Sequence, residues 1–66
     1  MDEATHKRFL EYRERHVYFG AKKKLLGPDD FVAFDAEQRS LAAIGDARDD
    51  EEEARFAELS AILFRD

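Results

Sequence analysis

Apolar residues recur along the first third of the chain at helical spacing. At 100° per residue, Phe9, Tyr12, Arg13, His16, Val17 and Gly20 fall on one broad face, with Leu10 and Ala21 at its edge. This pattern predicts a first helix over about residues 3–26, capped at its start by Asp2. Lys22, Lys23 and Lys24 then occupy its final turns, where they complement the negative end of the helix dipole. Gly27 can take the left-handed stop conformation, and Pro28 forbids continuation.

A second helix is predicted over about residues 30–44, opening at Asp29 or Asp30 and stopping at Gly45. Phe31, Phe34, Gln38, Leu41 and Ala42 share a face of it. A third is predicted over about residues 50–64. Asp50 and Glu53 have the spacing of a capping box there, and Glu51 and Glu52 add negative charge where the dipole favours it. Phe56, Leu59, Ser60 and Leu63 line its inner face, widened by Ala57, Ile62 and Phe64. Two rival readings exist. The second helix could start at Asp35, with Gln38 as its capping partner and Phe31–Phe34 extended. Alternatively, His16–Phe19 and Phe31–Phe34 could pair as a long-looped β-hairpin, although no tight turn sequence joins them and the lysine run suits a helix better. The preferred fold is all-α: one small three-helix domain over residues 1–66, with a C-terminal antiparallel helical hairpin packed on a longer N-terminal helix.

A continuous first helix would be ~35 Å long against ~22 Å for each of the others, so part of it should protrude or bend, and Gly20 is the natural place. Its apolar positions also change direction partway. Tyr18, Phe19, Leu25 and Leu26 lie off the face set by Phe9 and Val17, and such unpartnered apolar surface marks an interface. The alternative is a break at Gly20 that folds Leu25 and Leu26 back into the core. The predicted contact surface is Tyr18, Phe19, Leu25 and Leu26, flanked by Lys22, Lys23 and Lys24.

Charge sharpens this picture, because it divides at Gly27-Pro28. The first 27 residues hold seven Lys or Arg against four acids, a balance of +3. The remaining 39 hold four Arg against twelve acids, a balance of −8, giving the chain its net −5. A polarised small protein of this kind is suited to binding another protein or a second copy of itself. The excess of acid argues against general nucleic-acid binding. A chain of 66 residues buries only ~60% of its unfolded surface, so its stability margin is thin. With no cysteine, neither a disulfide nor a thiolate metal site can staple it. The residues at the N-terminus lack the basic segment and apolar run of a signal peptide, and apolar runs such as Phe31–Phe34 and Leu41–Ile44 are no longer than four residues. No membrane span and a cytoplasmic location are therefore expected.

Candidate chemistry is sparse. Glu3 and His6 have the Glu-x-x-His spacing of helix-bundle metal sites, but stand alone, so the pair reads as a solvated turn. His16, on the Phe9 face, reads as a hydrogen-bonded packing residue rather than a general base. Asp46 and Asp49–Glu53 form the densest acidic cluster. Arg48 interrupts it and no glycine sits among the acids, so it reads as helix N-terminal enrichment rather than a calcium loop. Lys7, Arg8, Arg13, Arg15 and Lys22–Lys24, interleaved with aromatics, are the nearest approach to a nucleic-acid surface, diluted by Glu11 and Glu14. The hydroxyls of Thr5, Ser40 and Ser60 lie in no nucleophile motif, and no glycine-rich phosphate loop occurs. No catalytic residue, metal or cofactor is assigned. The sequence points to a protein–protein interaction module (an adaptor, regulator or small subunit), with nucleic-acid binding through the basic N-terminal helix as the runner-up.

Overall fold

The computed structural model describes residues 1–65 and contains three α-helices: α1 (Glu3–Phe19), α2 (Pro28–Ile44) and α3 (Asp50–Ile62). A 3-10 turn, Gly45–Ala47, joins the last two. α2 is the central element and packs against both α3 and α1, giving the all-α domain with its C-terminal hairpin. No strand occurs among the described residues. His16–Phe19 lies in α1 and Phe31–Phe34 in α2, so the β-hairpin alternative is excluded.

α1 begins where the sequence places it. The Asp2 carboxylate accepts the Thr5 backbone N–H at 2.7 Å, satisfying one of the free donors of the first turn. Its end differs. The helix stops at Phe19, seven residues short of Leu26, and is as long as α2 rather than longer. Continuing it would have left Leu25 and Leu26 on a lysine-rich rod with no apolar stripe to join. Instead the chain turns at Gly20, closed by a hydrogen bond from Lys23 N–H to Gly20 O at 2.8 Å. Leu26 then returns to pack against the core of Phe9, Tyr12, Phe31 and Leu63. The inward stripe of α1 is correspondingly narrow: Phe9 and Tyr12 are buried, while Arg13 and Val17, predicted on that face, are exposed.

α2 starts at Pro28 rather than at Asp29 or Asp30, and Gly27, at φ −71°, is its N-cap rather than a left-handed stop for α1. Proline suits this first position because its missing N–H has no intrahelical partner there and its φ is already helical. Phe31–Phe34 is therefore helical rather than extended. Phe31 is fully buried, and Asp35, Gln38 and Leu41 continue its stripe inward. The helix ends at Gly45, whose φ of 64° lies in the left-handed region that favours glycine. Arg48 staples the corner. Its guanidinium donates to Leu41 O at 2.9 Å and to Glu53 Oε2 at 2.7 Å, and stacks 4.0 Å from the ring centroid of Phe56.

The capping box of α3 falls one residue earlier than the predicted Asp50–Glu53 pair. Asp49 Oδ1 accepts the Glu52 N–H at 2.8 Å, and Glu52 Oε1 accepts the Asp49 N–H at 3.1 Å. In a run of five acids the register is set by what each carboxylate meets, and Arg48 takes Glu53. α3 ends at Ile62, two residues before the predicted limit. The Arg65 N–H bonds to Ser60 O at 2.7 Å and the Phe64 N–H to Ala61 O at 3.3 Å, the paired bonds of a Schellman turn. The left-handed position of that turn is held by Phe64, at φ 56°, where glycine is usual.

Candidate functional site

Two constellations bring chemistry-bearing side chains together. The first is a buried ion cluster. Asp35, on α2, is 2% exposed. Arg8 of α1 reaches it from one side, its Nε donating to Oδ1 at 3.0 Å and its Nη2 to Oδ2 at 3.1 Å. Arg65, beyond α3, donates to Oδ1 from Nη2 at 2.7 Å and to Gln38 Oε1 from Nη1 at 2.9 Å. Arg8 also donates to the Thr5 hydroxyl at 3.0 Å. Burial by itself raises the Asp35 carboxyl, but the hydrogen bonds and charges of Arg8 and Arg65 outweigh it and hold the group below the ordinary carboxylate value. A carboxylate so occupied has no free lone pair aimed at a reactant. Among the described residues, no buried side-chain polar atom lacks a partner. The cluster is a clamp that ties all three helical segments to one point.

The second constellation is the loop from Gly20 to Gly27 and the surface around it. Two α1 side chains pin this loop. His16 Nε2 lies 2.7 Å from Lys23 O, and since a carbonyl only accepts, Nε2 is the donor. Leu26 N–H donates to the Tyr12 hydroxyl at 3.1 Å. Held at Lys23 and Leu26 in this way, the loop presents Lys22, Lys23 and Lys24 to solvent, and none of them pairs with a carboxylate among the described residues.

Phe64 and Ala61 line two grooves. One, about 300 Å³, has an apolar floor of Tyr12, Leu26, Ala61, Ile62 and Phe64. His16, Lys23, Lys24 and Glu58 complete its lining. The other, about 270 Å³, is lined by Phe19, Ser60, Ala61 and Phe64. Tyr18 and Phe19, at the end of α1, are 77% and 75% exposed. Of the predicted contact residues, Tyr18, Phe19 and Lys22–Lys24 thus lie on the surface at one end of the molecule. Leu25 is partly exposed beside them. Leu26 is half-buried and belongs mainly to the core, so it contributes only to a groove floor.

Glu3 and His6 both lie exposed in the first turn of α1, and among the described residues no third ligating side chain joins them. The acids of Asp49–Glu53 cap α3 and pair with Arg48. Sequence reasoning missed the clamp of Arg8 and Arg65 on Asp35 and the turn at Phe64. Asp35 carried a legible signal, since it stands four residues after Phe31 and three before Gln38, inside the apolar stripe. The turn that places Arg65 and Phe64 carried none, because it lies beyond the helical period. No protein-family model matches this chain, and neither the curated proteins nor the solved structures compared with it include a match.

Proposed function

We propose that this chain is a small protein-binding module, acting as an adaptor, regulator or small subunit, and that it works by binding rather than by catalysis. The observation that carries this reading is the run Val17-Tyr18-Phe19, exposed at the end of α1 beside three lysines that have no partner among the described residues. Two adjacent aromatic rings held in water, next to apolar grooves, are surface that a partner can cover with gain in free energy. The accessible surface supports the same reading. It amounts to 4861 Å², against about 4,300 Å² for a typical monomer of this mass.

Affinity capture with the full chain and with a Tyr18→Ser/Phe19→Ser variant tests the reading. The wild type should retain a protein that the variant releases, at equal folded content. Retention of the same proteins by both, or of none by either, refutes it. Nucleic-acid binding, the alternative class, would appear instead as retained oligonucleotide released by salt and by Lys22/Lys23/Lys24→Glu.

A further inference from the structure

Resting on the binding reading, we infer that the larger groove receives a bulky aliphatic or aromatic side chain from an acidic peptide segment of another protein. The geometry of the groove specifies both halves of that description. Its floor of Tyr12, Leu26, Ile62 and Phe64 is apolar and its volume is about 300 Å³, at the lower limit of sites that bury a drug-sized group. A polar anchor placed there would lose water without regaining hydrogen bonds. The rim supplies the other half. Lys23 and Lys24 line it and Lys22 adjoins them, all exposed. The acid in the lining, Glu58, is already paired with Arg55. Carboxylates flanking the apolar anchor would therefore meet ammonium groups that pair with no carboxylate among the described residues, which favours encounter and fixes direction.

The backbone that carries those lysines is positioned before any partner arrives. His16 holds the Lys23 carbonyl and Tyr12 holds the Leu26 amide, so less loop ordering remains to oppose binding. A second copy of this chain fits less well. Its acidic run, Asp49–Glu53, contains no apolar residue, and the nearest large ring, Phe56, lies under the Arg48 guanidinium.

The test is selection of random 12-residue peptides displayed on phage against the immobilised full chain. Enriched peptides should carry one Phe, Trp, Leu or Ile with two or more Asp or Glu within four residues of it. A synthetic peptide of the enriched sequence should lose about tenfold in affinity on Lys23→Glu/Lys24→Glu, and several-fold between 50 and 500 mM salt. Ala61→Trp, at an exposed helical position on the groove floor, should block it sterically, and the melting temperature of each variant shows whether folding is intact. No enrichment, enrichment of peptides without acids, or affinity indifferent to both variants overturns the inference. So does a dimer, seen by sedimentation, that the Lys23→Glu/Lys24→Glu change dissolves, for then the occupant is a second copy. Any of these leaves the binding module itself standing if Tyr18→Ser/Phe19→Ser still releases a captured protein.

Discussion

The ring of Phe64 occupies the space where a β-carbon on Gly20 would stand. The Phe64 Cε1 atom lies 3.0 Å from that position and the ring tip lies closer still. The backbone at Gly20, with φ −133°, is open to any residue, so glycine is required there for room rather than for conformation. The contact joins the end of α1 to the turn after α3, two segments 44 residues apart. Gly20→Ala should force the ring away from Tyr12 and His16 and cost about 1–3 kcal/mol, read as a lower urea midpoint at unchanged slope.

The residue at position 64 provides a second measurement. It sits in the left-handed region and its ring stacks 5.8 Å from that of Tyr12. Phe64→Ala and Phe64→Gly both lose that ring, but only glycine also relieves the backbone. Phe64→Gly should therefore be the more stable of the two by about 1 kcal/mol. An ordinary helical position would give the reverse order, because glycine is the poorer helix former there.

The Asp35 clamp predicts asymmetric mutant effects. Asp35→Ala leaves two arginines, both largely out of water, without their carboxylate, and should cost about 3–5 kcal/mol in chemical denaturation. Replacing all three partners together, as Arg8→Met, Asp35→Leu and Arg65→Met, should cost much less, since no uncompensated charge remains. A triple variant as unstable as Asp35→Ala would show that packing rather than charge pairing decides the effect.

Acid stability follows from the same carboxylate. Its folded-state value is depressed below the ordinary 3.8 by Arg8 and Arg65, which outweigh the opposing effect of burial. The stability it contributes is thus fully present above that ordinary value. It is lost as pH falls below 3.8 and through the lower folded-state value. Melting temperatures measured from pH 6 down to pH 2 should fall most steeply below pH 4, and Asp35→Asn should flatten that part of the profile. An identical profile in Asp35→Asn would assign acid sensitivity to other carboxylates.

Exposed apolar residues kept for a partner should be dispensable to the fold. Tyr18 and Phe19 face each other, with ring centroids 6.4 Å apart, and both are largely exposed. Tyr18→Ser/Phe19→Ser should change unfolding free energy by no more than about 0.5 kcal/mol. A larger loss would make the rings structural and remove the main support for a binding surface at this end of the molecule.

By itself, the sequence determined the parts of this protein that depend on neighbours in the chain. Asp2 as a cap, Pro28 as a break before α2, Gly45 at its end and acids heading α3 all act within a turn or so of backbone, where residue type and spacing are sufficient. The exposure of Tyr18 and Phe19 was legible too, because they lie off the stripe that Phe9 and Tyr12 define. Only the tertiary structure decided where α1 stops, which lysines edge a groove, and that Asp35 is clamped between Arg8 and Arg65. Those features rest on contacts between residues 27, 30 and more positions apart, such as Arg8 with Asp35 and Arg65 with Asp35. Local periodicity describes which way a side chain leaves its own helix. It does not describe what the chain brings to meet that side chain, and here the returning loop and the turn after α3 supply what it meets.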